Sequence, residues 1–189
     1  ELRIEPAPEV LAAARDWLRP VRGALGSDFL AAYLTGSVLT QGFDLRHSRV
    51  NILVVARAMP VTTLERLRMA IPATKRAPHF DPLLLTRQQI EKSLDVFAIE
   101  LLDVKERHLR LEGEDIFETL EVPNTYLRLQ IEHEVRGKHI QLRQAYLLSS
   151  NHAQALGGTL VGSASGFTAL FRALLRLRGE APPADHSRT

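Results

Sequence analysis

Apolar positions recur along this chain at two spacings, and the change between them marks out its elements. Strand-length runs come first. Residues 29–34 form a short stretch that is apolar and aromatic throughout, and residues 49–56 alternate, so that Arg49, Asn51 and Leu53 share one face and Val50, Ile52 and Val54 the other. Residues 79–85 supply a third strand. Residues 95–104, DVFAIELLDV, are the most strongly apolar run after the second strand; they predict a strand, with residues 107–111 returning as its partner.

Helical spacing appears between these runs and takes over after them. Val10, Leu11, Ala14, Trp17 and Leu18 predict a helix over residues 9–19, which Pro20 should end or kink, with Trp17 packed in the core. Leu64, Leu67 and Ile71 predict a helix from Pro60 with those three facing inward, and residues 87–94 a shorter one. Beyond Pro123 the pattern is helical only. Asn124 is the expected N-cap of a long helix whose buried stripe is Leu127, Ile131, Val135, Leu142 and Tyr146, with Glu132, Arg136, His139 and Arg143 on another face. A last helix over residues 153–177 is free of charge as far as Phe171 and carries Gly158, Gly162 and Gly166 on one face, where a second helix can approach.

These elements predict an α/β (α+β) chain: a mixed-sheet domain over residues 1–120, a two-helix extension over 121–178 and a polar tail over 179–189. Strand, helix and strand in succession also imply a right-handed crossover and parallel or mixed neighbours. The 189 residues, 45% hydrophobic, are enough for a real core. Basic and acidic residues nearly balance, 24 against 22, so no nucleic-acid-binding block stands out. The chain has no cysteine, which excludes disulfides, zinc–thiolate sites and thiol catalysis and agrees with a cytoplasmic protein. The last helix is too diluted by glycine, serine and threonine for a membrane span to be expected. No signal peptide is visible, and the missing first methionine suggests that the start is trimmed.

The chemistry concentrates at Thr35-Gly36-Ser37, between the first strand and a short helix. Glycine there permits close approach of a ligand, and the first N–H groups of the helix with the Ser37 hydroxyl can face phosphate oxygens. The hydrophobic-Gly-Ser turn, followed after about ten residues by Arg49-Val50-Asn51 on a strand, resembles the signature of the nucleotidyltransferase superfamily of DNA polymerase beta and the minimal bacterial nucleotidyltransferase domains. The resemblance covers residues 28–104, with a weaker likeness over 95–115. It implies a mixed-sheet nucleotidyltransferase-like fold, and ATP and Mg²⁺ as candidate cofactors. It also implies that Arg49 and Asn51 stand where the family has its paired metal-binding aspartates and that Asp81 stands at its third carboxylate. Arginine cannot ligate a cation, so no metal ligand is assigned.

Gly36, Ser37, Arg49 and Asn51 are thus the candidate ligand-binding residues, and Asp81 and Asp44 the candidates for any catalysis that remains. A buried Arg49 would need an anion, solvent or a local acid such as Asp44 to satisfy it. Glu100, Asp103, Glu114 and Asp115 have metal-ligand spacing but read as a strand edge and a turn, and His133 and His139 are wrongly spaced for a helical metal pair. Three functions follow: a degenerate nucleotidyltransferase-fold protein binding a nucleotide or other phosphorylated ligand, an active Mg²⁺-dependent transferase acting on a small molecule or protein, and a non-enzymatic assembly module that forms a homo-oligomer or meets a helical partner through Gly158, Gly162 and Gly166.

Overall fold

The computed structural model describes residues 5–40, 43–45, 48–71, 78–149 and 153–183. Four strands form one mixed sheet in the order β3-β2-β1-β4: β1 Phe29–Thr35, β2 Val50–Ala56, β3 Phe80–Thr86 and β4 His108–Gly113. β1 runs antiparallel to both of its neighbours, whereas β2 and β3 are parallel, joined through helix α2 (Val61–Ala70). The crossover thus joins parallel neighbours within a sheet that is mixed as a whole.

One face of the sheet carries the main core. Ala32, Leu34, Val50, Ile52, Val54 and Ala56 point to it and meet Val10, Ala14, Trp17, Leu18, Val21 and Leu25 of helix α1 (Pro8–Leu25), with Leu67 of α2. Trp17 is buried and its ring lies 5.7 Å from that of Phe80, a packing role as expected. Pro20 does not end α1. The helix runs on to Leu25, because Val21 and Leu25 continue its apolar stripe into the core and that burial outweighs the hydrogen bond proline removes. In α2, Leu67 is buried and Ile71 packs against the core, but Leu64 is exposed, so the inward stripe is narrower than its spacing suggested.

Tyr33 sits on the opposite face and organises it. Its hydroxyl donates to the Glu114 carbonyl at 2.6 Å and accepts from the Ile116 N–H at 2.9 Å, tying the chain after β4 back to the central strand. Its ring meets Phe117 edge-on at 5.2 Å and His108 at 5.1 Å. His108 bridges the Val104 carbonyl at 2.8 Å and the Asp115 carboxylate at 3.3 Å.

The largest departure from the sequence pattern lies just before β4. Residues 95–104 do not form a strand; helix α4 spans Ala98–Glu106, after a short helix α3 at Arg87–Lys92, and the partner of β4 is β1. Ala98, Ile99 and Leu101 are buried, a spacing that one face of a helix satisfies as well as a doubly buried strand does, so an apolar run this short does not separate the two.

The chain divides into two compact units, one reaching to Ser93 and including Leu101–Glu121, the other made of Leu94–Glu100 and the residues from Val122 onward. In the second unit, helices α5 (Asn124–Leu148) and α6 (Ala153–Leu177) pack against each other as the expected hairpin. Pro123 is the N-cap of α5 and Asn124 its first helical residue; no side-chain cap forms. Leu127 and Ile131 are buried, while Val135 and Tyr146 are exposed, so only the first part of the expected stripe is covered. Buried Gln130 replaces the missing polar partners at the start of α4: its side-chain carbonyl accepts from the Ile99 N–H at 2.8 Å and its amide donates to Glu100 at 2.9 Å. Of the three glycines on the α6 face, only Gly166 is approached closely, by the Lys138 side chain. No single helix among the described residues is long and apolar enough to cross a membrane. Part of the expected tail is held, since the buried Arg172 donates to the Pro183 carbonyl; residues 184–189 lie outside the described residues.

Two measurements check this account. Gly113 has φ +89°, and a Cβ there would lie 2.0 Å from the Leu30 carbonyl oxygen and 2.6 Å from the Ala31 Cα, both backbone. Gly113→Ala should lower the stability of the first unit by about 3 kcal/mol or more, read by urea unfolding. Burial raises the Tyr33 pKa above its usual 10.0, with smaller contributions from the Asp115 and Glu114 charges, against the opposing Ile116 hydrogen bond and Arg110. The folded state thus favours the neutral phenol, so this stability is fully present below pH 10.0 and lost as pH rises through the raised value. Tyr33→Phe should cost about 1–3 kcal/mol at neutral pH and flatten the alkaline decline.

Candidate functional site

The sheet brings most of the residues singled out in the sequence to one of its ends. β1 finishes at Thr35 and turns through a short 3₁₀ segment, Gly36–Leu39, while β2 starts beside it at Val50. Because β1 and β2 are antiparallel and β2 and β3 parallel, Thr35, Asn51 and Asp81 become register partners in one row across three strands. Topology therefore assembles at this end what the sequence spreads over 47 positions.

Gly36 is required here. Its φ is +76°, and a Cβ would come within 2.8 Å of the Asn51 side-chain amide, so the turn and Asn51 are in direct apposition. Ser37 is exposed at the turn, where its carbonyl accepts from the Thr40 N–H and hydroxyl. Val38 is buried and anchors the turn to the core.

Arg49 precedes β2 and is not buried; its side chain is 70% exposed, so no desolvation cost compels it to find a partner. Its guanidinium lies 3.9 Å from the Asp81 carboxylate, which is 60% exposed. At that distance the contact is an ion pair without a hydrogen bond. Asp44 is exposed in the loop ahead of β2 and accepts a backbone hydrogen bond from Ser48 through its carbonyl.

The donor set does not fit a divalent cation. Asp81 is the single carboxylate in the row, Asn51 offers at most a neutral carbonyl, and the Arg49 charge beside Asp81 opposes any metal that Asp81 might attract. No three histidine, aspartate or glutamate side chains come together as a metal site among the described residues. Glu114 instead pairs with Arg87, Asp115 with His108 and Arg107 with Asp103, while Glu100 is bonded by Gln130. Arg49 and Asp81 stand 32 positions apart, a separation that no spacing rule joins; the parallel register of β2 and β3 creates the contact.

No family model matches the chain, and no curated protein does. Among solved structures it is similar to spectinomycin adenyltransferase AAD(9) from Enterococcus faecialis with ATP and spectinomycin, at 15% identity over 93% of this chain and 90% of that one, with a TM-score of 0.46.

The geometry gives a direct test of why a metal is disfavoured. Arg49 and Asn51 are two residues apart and Asn51 is the register partner of Asp81, so Arg49→Asp with Asn51→Asp would place three carboxylates at one sheet end. The double variant should bind Mn²⁺ or Mg²⁺ at least about tenfold more tightly than the wild type, measured calorimetrically.

Proposed function

We propose that this chain is a nucleotidyltransferase-fold protein that binds a nucleotide or another phosphorylated ligand at the Gly36–Ser37 turn without a metal, and that it has lost metal-dependent transfer. The observation that carries this reading is Arg49, an exposed guanidinium standing at the sheet end where the turn, Asn51 and Asp81 converge. An ion pair as exposed as that between Arg49 and Asp81 contributes about 0–1 kcal/mol, so a phosphate dianion can compete with Asp81 for the guanidinium. Ser37 supplies a hydroxyl on the same turn, and Gly36 lets a ligand oxygen approach the backbone. Arginine is suited to the task because its planar fork meets phosphate oxygens in pairs and stays charged at any physiological pH.

Calorimetric titration of ATP with chelator and with Mg²⁺ tests the reading. Binding should be present under both conditions, and Arg49→Ala should weaken it roughly tenfold, about 1.4 kcal/mol. Binding that requires Mg²⁺ would instead favour an active transferase, and label transfer from ATP that depends on Asp81 or Asp44 would establish one.

The assembly reading also has an observation in its favour. Among the described residues, a Cβ built on Gly158 or Gly162 meets nothing within 4 Å, and Val161, three residues on from Gly158, is exposed, so this face of α6 is open to a partner helix. Failure of the wild type to bind any nucleotide, together with a concentration-dependent mass in solution, would favour it.

A further inference from the structure

The opposite end of the same sheet holds a second cleft. β1 begins there and β2, β3 and β4 all end there, which brings Leu30, Arg57, Arg87, Gln88, Glu91 and Glu114 around a cavity of about 320 Å³. That volume is at the lower end of the range for small-molecule pockets, about 300–1,000 Å³. Its charges divide into two sets. Arg87 donates to Glu114 through Nη2 at 2.5 Å, while its Nε is buried without a hydrogen-bond partner among the described residues; the Glu114 backbone is itself held by Tyr33, so this ion pair forms one wall. Arg57 and Glu91 have no side-chain hydrogen bond or ion pair among the described residues, leaving the cleft one unmatched cation and one unmatched anion. Leu30 adds an apolar surface and Gln88 an amide that can donate or accept.

We propose that this cleft binds a small zwitterion, an α-amino acid with an apolar side chain: its carboxylate faces Arg57, its ammonium faces Glu91 and its side chain lies on Leu30. A lone anion would meet Glu91 uncompensated and a lone cation would meet Arg57, so the lining discriminates against both by like-charge repulsion. The proposal is independent of the Gly-Ser end, since the two lie at opposite ends of seven-residue strands, roughly 20 Å apart at 3.3 Å per residue.

The test uses L-leucine and its two single-charge analogues, 4-methylpentanoate and 3-methylbutylamine, followed through the Leu30 methyl resonances by NMR titration. Leucine should shift them with an affinity in about the millimolar range, and each analogue should bind about tenfold more weakly. Arg57→Gln should reduce leucine to the level of the amine, and Glu91→Gln to the level of the carboxylate, with unchanged circular-dichroism spectra as the folding check. Absence of any Leu30 shift with leucine in the wild type, equal affinity for the three probes, or unchanged leucine affinity in both folded variants would overturn the proposal.

Discussion

Everything in the first unit depends on the pairing of β1 along both edges. Ala31, Ala32, Tyr33 and Leu34 are fully buried, their backbone groups are taken up by β2 on one side and β4 on the other, and the two faces of the strand serve different structures. Ala32 and Leu34 complete the core with α1, whereas Tyr33 uses its hydroxyl to fix residues 114–116. Pairing along both edges, with a register shift on each, takes up backbone groups that burial would otherwise leave unsatisfied, which is the condition for placing such an apolar stretch at the centre of the sheet. It also fixes both ends: the turn at Gly36 must open at one, and the close approach of Gly113 to Leu30 must occur at the other.

Much of this was legible because local pattern and tertiary role agree. β1, β2, β3 and the two long helices all lie close to their expected spans, and Thr35-Gly36-Ser37 is the turn that its residues suggested. The exceptions have physical causes. Residues 95–104 have an apolar content that suits a buried strand or a short buried helix, and the deciding contact, Gln130 bonding the Ile99 N–H, comes from a residue 31 positions away. Pro20 is a helix breaker by local rule, yet Val21 and Leu25 gain more by staying in the core than the lost hydrogen bond costs. The expected stripe of α5 extends past Ile131 in sequence, but burial does not follow it to Val135 or Tyr146.

The candidate site was legible in composition and illegible in electrostatics. Residue types at Gly36, Ser37, Arg49, Asn51 and Asp81 point to one region, and register delivers them there. Solvent, one of the three ways of satisfying Arg49, is open to it: at 70% exposure it is held in place by no desolvation penalty, and its neighbour is Asp81 across the strands. That exchange alters the chemistry available. Where paired carboxylates would concentrate negative charge and recruit a cation, a guanidinium beside a lone carboxylate makes a nearly neutral surface whose positive half can be turned toward an anion by displacing a weak contact. A ligand's charge would then be met by a fixed side chain, with orientation set by the planar guanidinium rather than by an ion's coordination shell.

The mixed sheet explains why one small unit can present two chemically different ends. Reversal of direction between β1 and β2 carries the chain away from Gly36 and back, so Arg49, Asn51 and Asp81 collect at the first end. The parallel β2–β3 step and the antiparallel β4 then send the residues that follow each of these strands, Arg57, Arg87 and Glu114, to the second end with Leu30. None of those three is near another in sequence, and no spacing rule would join them. They meet because strands of six or seven residues all terminate at the same sheet edge, and Tyr33 from the middle of β1 secures the Glu114 backbone there. The strand that carries the Gly-Ser turn at its end therefore also positions the wall of the second cleft, so a change in β1 register would disturb both ends together.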